Sequence, residues 1–281
     1  MPKPGTKLEY TFRSDVLFKL LFIRHQYLLK RLVATLLSIE LESIENLVVT
    51  DTEMRPEEIG KKFCRLDIMM DVDGKKVNIE IQNRNEGNFP ERVLFHWAKI
   101  YSASLPEGEN YISLPQTIII SILDFRMFDS DEVHSEFKLL ETTRHELLSN
   151  KQIYHFFELQ KLKDLDQLDL QSEKDLWLAL FNAKTEEELE KLALNGGEVM
   201  VQAVEAYKSV TATEEFRNLE WLRMKTAHDE ASAIGNAERR GAESERRKWR
   251  GVVAEKNAKV EKLHEEVEKL RQQLAALQGR N

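Results

Sequence analysis

The chain is poor in the residues that make scaffolds out of small proteins. A single cysteine, Cys64, in 281 residues excludes an internal disulfide and a cysteine-built metal cluster, and implies a reducing, cytoplasmic setting. Only six prolines and eleven glycines occur, too few for a collagenous or linker-like chain. No apolar run reaches the roughly 18 to 20 residues of a membrane span, so no membrane partner is expected. The start, MPKPGTKLEY, lacks the apolar core of a secretory signal. No Ser-His-Asp arrangement or glycine-rich phosphate loop stands out, and the seven histidines show no metal-ligand spacing; His145 and His155 are expected on helices.

Charge is plentiful at 32% of residues, and its net value of −8 hides an asymmetry. Residues 235 to 281 hold 12 Lys and Arg against 8 Asp and Glu, leaving 29 against 41 in the remainder. An acidic body argues against loose, sequence-blind DNA affinity, which rests on many cationic contacts to phosphate. It does not exclude a nuclease, because bound divalent cations offset acids locally.

Periodicity predicts an α/β body. Residues 14 to 38 carry a helical apolar stripe behind Ser14, a good N-cap. Residues 44 to 54 have the β-branched content of a strand. Residues 65 to 84, RLDIMMDVDGKKVNIEIQNR, form two apolar runs around Asp73-Gly74, a strong hairpin signal. A helix follows over 90 to 105, then QTIIISILDF (116 to 125), apolar enough for a strand covered on both faces. From about 129 to 234 strand signals fade, and SEKDLWLALFNAK and TEEELEKLALN look like helices capped by Ser172 and Thr185. The expected organisation is therefore a core at 1–128, a helical extension at 129–234, and a charged helix with a coiled coil at 235–281.

At the end of the chain, Val253, Val260, Val267 and Leu274 recur every seventh residue. Trp249, Leu263, Leu270 and Leu277 interleave, with Lys256 as the one lapse. Val at a and Leu at d favour a parallel two-stranded coil, so a homodimer through residues 249–277 is expected. Just upstream, residues 238 to 250 concentrate six basic side chains, a solvated helix face or a phosphate-contacting segment.

The hairpin carries the candidate chemistry. With a two-residue loop, Asp67 lies opposite Glu80, and Gln82 projects from the same face as Glu80. Two such acids repel unless a cation lies between them. The alternative is a solvent face, with Ile68, Ile79 and Ile81 as the buried set.

In its SDVLFKLLF, RLDIMMDVDGKKVNIEIQ and FPERVLFHWAKIYSASLPEGENYISLPQTIIISILDF segments, the chain resembles the PD-(D/E)XK nuclease superfamily. Within it, the chain resembles the recombination-promoting nuclease / putative transposase family, over roughly residues 11 to 125. The resemblance implies a restriction-endonuclease-like core, with a mixed central sheet flanked by helices, cutting DNA with Mg²⁺ or Mn²⁺. It makes Asp67 the first acid and Glu80 the second. Gln82 falls where the superfamily most often has lysine. Asp15 resembles a further metal-contacting acid and is equally suited to the first turn of its helix. Arg92 and Lys62 are candidate phosphate contacts, Arg92 competing with a pairing to Glu86 or Glu91. Trp97 and Tyr101, one turn apart, suit core packing better than base stacking. The rival expectation is a degenerate nuclease-fold protein that binds DNA or assembles through its coiled coil without cutting.

Overall fold

The computed structural model describes residues 5–50 and 68–278, with side chains to residue 275. It divides into two compact units, residues 1–223 and 224–281. The first begins with α1 (Asp15–Arg24) and α2 (Gln26–Leu37), which split the single helix expected over 14 to 38 at His25. The Ser14 hydroxyl accepts the Leu17 N–H at 3.3 Å, as an N-cap should.

Three antiparallel strands follow: β1 (Leu47–Val49), β2 (Ile68–Val72) and β3 (Lys75–Gln82). Asp73 and Gly74 join β2 to β3 with φ of 50° and 75°. Two positive φ angles match the right-handed twist of paired strands, which is why Asp-Gly is favoured there. The Asp73 carboxylate accepts the Asn46 N–H at 2.7 Å, tying the turn to the chain entering β1. Ile68 pairs with Ile79 and Val72 with Lys75. That is the register on which the Asp67–Glu80 juxtaposition was expected, although Asp67, Lys62 and Cys64 themselves lie outside the described residues.

α3 (Phe89–Ala103) crosses to β4 (Thr117–Leu123), which lies parallel to β3 and is buried throughout. β5 (His134–Leu140) and β6 (Leu147–Glu158) complete a six-stranded mixed sheet ordered β1-β2-β3-β4-β6-β5. The helical expectation for 129–234 is therefore wrong over these two strands, and His155 lies in β6 while His145, at φ 58°, sits in the β5–β6 turn. Sequences such as FKLL and HELL carry strong helix formers, and the antiparallel pairing of β5 with β6, itself anchored on β4, overrides their local preference. The helical expectation holds from α4 (Glu173–Asn182) onward, through α5 (Glu186–Asn195) and α6 (Gly197–Thr211). Ser172 caps α4, and Thr185 with Glu188 forms a capping box on α5.

Alternation on the strands divides the core between two faces. Met70, Val77, Ile79, Ile118 and Ile120 pack into one cluster with α1, α2 and α4 to α6. Ile119, Leu123, Tyr154 and Phe156 meet Phe89 and Val93 of α3 on the other. Helices thus flank the sheet, as expected. Trp97 stacks on Tyr101 at 4.6 Å and donates its indole N–H to the Thr117 carbonyl at 3.1 Å, so the pair packs the structure.

α7 (Glu214–Gln278) is a continuous 65-residue helix. Its first turns belong to the first unit, and the rest makes up the second. Among the described residues no helix is long and apolar enough to cross a membrane.

Candidate active site

β3 shows its peculiarity in the side chains of one face. Lys76, Asn78, Glu80 and Gln82 alternate with Val77, Ile79 and Ile81, so a polar row runs along a strand central to the sheet. Asn78 is 4% exposed and Glu80 only 1%. Glu80 is therefore not part of a solvent face. Burial of a carboxylate costs several kcal/mol unless charge and hydrogen bonds compensate it.

Compensation comes from β4 and from β3 itself. Glu80 and Ser121 are register partners, and the Ser121 hydroxyl donates to Glu80 Oε1 at 2.9 Å. The Gln82 side-chain amide donates to Glu80 Oε2 at 3.4 Å, a longer contact. Sequence reasoning missed Ser121; the signal that could have found it is the single polar residue between Thr117 and Leu123 in the run TIIISIL.

The chain end of β3 is where other elements converge. The Asp124 N–H donates to the Gln82 carbonyl at 2.9 Å, and the Asn83 side-chain amide donates to the Arg13 carbonyl at 3.0 Å. Arg13 forms an ion pair with Asp124. These contacts anchor the entry to α1 and place Asp15, its first residue, within electrostatic reach of Glu80. Burial pushes the Asp15 carboxyl up to about 6; Arg223 opposes this, while Glu220 and Glu80 add to it. Lys19, one helical turn beyond Asp15 on the same side of α1, is 2% exposed.

Two further groups arrive from α7. The Ser14 hydroxyl donates to Glu220 Oε2 at 2.7 Å, and Glu220 is 3% exposed. Arg223 holds Glu220 in a fork, with Nε at 3.0 Å and Nη2 at 2.5 Å from Oε1. Sequence reasoning missed both. An acid and an arginine three apart on a charged helix look like a surface pair, and nothing local indicates a partner 206 residues away.

Of the residues singled out from the sequence, the structure brings Asp15, Glu80 and Gln82 to this region. Arg92 stands on α3 with a single weak ion pair, Nη1 to Glu86 at 3.6 Å, and lies 4.8 Å from the Phe89 ring centre. Its Nε and Nη2 are buried without a hydrogen-bond partner. Asp67 and Lys62 fall outside the described residues.

The described residues contain no group of three or more His, Cys, Asp or Glu arranged to hold a metal ion. What they offer is two carboxylates, Asp15 and Glu80, with Asp67 just beyond the described start of β2. Carboxylate oxygens are the donors that hard Mg²⁺ and Mn²⁺ accept, and the acid repulsion felt at Asp15 is what such a cation relieves. The donor set fits the ion. His134 and His155, by contrast, turn ring nitrogens toward each other at 3.0 Å, which spends those nitrogens on one shared proton.

A family model described as PD-(D/E)XK nuclease family transposase matches residues 12–237, spanning α1, the whole sheet, and α7 through Glu220 and Arg223. No curated protein and no solved structure matches the chain.

Proposed function

Since the chain belongs to the PD-(D/E)XK nuclease family of transposases, a nuclease or transposase-like function follows, and we propose that this chain is a divalent-cation-dependent DNA endonuclease linked to recombination or mobile elements. The observation that carries the reading is Glu80: a carboxylate at 1% exposure on a central strand, hydrogen-bonded in place, with Asp15 in electrostatic reach.

Asp67, Glu80 and Asp15 would hold the cation. When bound, Mg²⁺ or Mn²⁺ activates water and offsets the charge that builds on the scissile phosphate. Ser121 fixes the rotamer of Glu80. Gln82 spends an amide proton on Glu80 and keeps its carbonyl as an acceptor that orients the attacking water; an amide is too weak a base to deprotonate it. Cationic compensation at the site comes from α7 through Arg223, whose charge acts on Asp15, where the superfamily most often places a lysine at the position of Gln82. Arg223 is held by Glu220, so its guanidinium stays in place. Arg92, with two unpaired buried donors, and Lys62 take phosphate oxygens. Two chains joined along residues 249–277 present two such sites to a duplex.

One observation favours the rival reading of a DNA-binding protein that no longer cuts. Gln82 stands in the lysine position and bonds to Glu80 itself. Plasmid nicking by purified full-length protein separates the two. The enzyme reading expects nicking with Mg²⁺ or Mn²⁺ and none with EDTA. Nicking that survives EDTA, or that persists in Asp67→Ala and Glu80→Ala, sinks the cation mechanism. DNA binding with no nicking in either metal establishes the rival.

A further inference from the structure

We infer that the arginine stripe of α7 between Arg239 and Arg250 is a second DNA-binding element, a non-catalytic grip on the phosphate backbone of a duplex. It rests on the proposed function in taking DNA as the polyanion and residues 249–277 as a parallel dimer seam.

Three observations carry it. First, the charges are segregated. At about 100° per residue, Arg239, Arg240, Arg246, Arg247 and Arg250 fall within an arc of about 120° on the helix. Glu243 is the only acid in that arc; Glu238 and Glu245 lie toward the opposite side. A solvated helix without a partner has no reason to sort its charges this way, and more often intersperses them for intrahelical pairing.

Second, three of the five guanidiniums are uncommitted, while Arg239 donates to the Asn236 side-chain oxygen at 3.2 Å and Arg240 to the Asn236 carbonyl at 3.3 Å. All five are exposed. Among the described residues Arg246, Arg247 and Arg250 make no hydrogen bond or ion pair, whereas off the stripe Lys248 reaches Glu245 at 3.9 Å.

Third, the stripe is in register with the heptads. Counting back from Val253 in sevens puts Arg246 and Arg239 at a positions, where the downstream helix has valine. In a parallel pair these arginines face their own copies, so like charges force the helices apart above Trp249. A fork is left, lined with cations over about 16 Å of helix, near half a turn of duplex. Phosphate oxygens are the occupant that relieves this repulsion, and the −12 imbalance of residues 1–234 leaves the stripe as the chain's concentrated positive region.

The test is fluorescence anisotropy of the full chain on a 30-base-pair duplex in EDTA, where cutting does not intervene, across about 50 to 200 mM salt. The triple variant Arg246→Ala, Arg247→Ala, Arg250→Ala is compared with Lys256→Ala, Lys259→Ala, Lys262→Ala as an off-stripe control. The stripe variant should bind at least tenfold more weakly at low salt, with a salt slope smaller by about 2 to 3. Helix content and solution mass should be unchanged. Equal slopes in wild type and stripe variant, an equal loss in the control, or no duplex binding by wild type overturns the proposal. A changed mass in the stripe variant also overturns it, by making the stripe a protein interface. Because no cleavage is measured, failure of the grip is distinguishable from failure of the nuclease reading.

Discussion

Asp15 and His155 are both held away from their ordinary ionisation, and their effects on stability run in opposite directions. Asp15 is raised from 3.8 to about 6, so between those values the folded state binds more protons. Its contribution is fully present below about pH 4 and is lost as pH rises through about 6. His155 is lowered from 6.5 to about 4, first by burial and then by His134, with Glu136 opposing. Its contribution is present above about pH 6.5 and is lost as pH falls through about 4. Each shift corresponds to at most about 3 kcal/mol, and the two windows overlap. Metal-free wild type should therefore show a shallow stability–pH profile between pH 4 and 6.5. Asp15→Asn should uncover a curve rising with pH, and His155→Gln a curve falling with pH, measured by thermal or urea midpoints. If either variant keeps the shallow profile, its group is not titrating as described. Asp15→Asn should also raise the metal-free midpoint at pH 8 while weakening cation binding, the pattern of an acid kept for function at a cost in stability. Sequence placed Asp15 at the head of α1 through Ser14, but not the burial that raises its carboxyl, nor the opposing Arg223 and reinforcing Glu220 that lie far along the chain.

At the scale of elements, the β2–β3 hairpin positions the candidate site, because its register decides which face Glu80 occupies. A slip of one residue would move Glu80 to the face of Ile79. Gly74 holds φ 75° with open space around it, so Gly74→Ala meets strain and no clash. It should cost about 1 kcal/mol, visible as a lower urea midpoint at unchanged m value. No change would mean that Asp73 and its bond to Asn46 fix the turn alone. This hairpin was legible because Asp-Gly and period-2 alternation are local signals. The β4 strand was legible because TIIISIL is buried on both faces. β5 and β6 were not: Leu139, Leu140, Leu147 and Leu148 are exposed, so no alternation between a buried and a wet face marks that end of the hairpin. What specifies β6 is its parallel pairing with β4, which no short window of sequence contains.

For the molecule as a whole, α7 joins what the sequence had kept apart. Its first turns supply Glu220 to the Ser14 hydroxyl, and its later turns carry the heptads. Val253, Val260, Leu263, Val267, Leu270 and Leu274 are 44–59% exposed in a single chain, an apolar seam that a second copy would cover. Truncation after residue 245 should convert a dimer into a monomer by light scattering, with the sheet intact by circular dichroism. An unchanged mass would place the dimer seam elsewhere. The central claim, that the acids at the end of β3 form a cation site, is tested most directly by Mn²⁺ titration of metal-free full-length protein followed by electron paramagnetic resonance. The account predicts saturable binding in wild type, at least tenfold weaker in Glu80→Gln with its fold retained. Binding that is the same in both proteins, or absent from wild type, would contradict it.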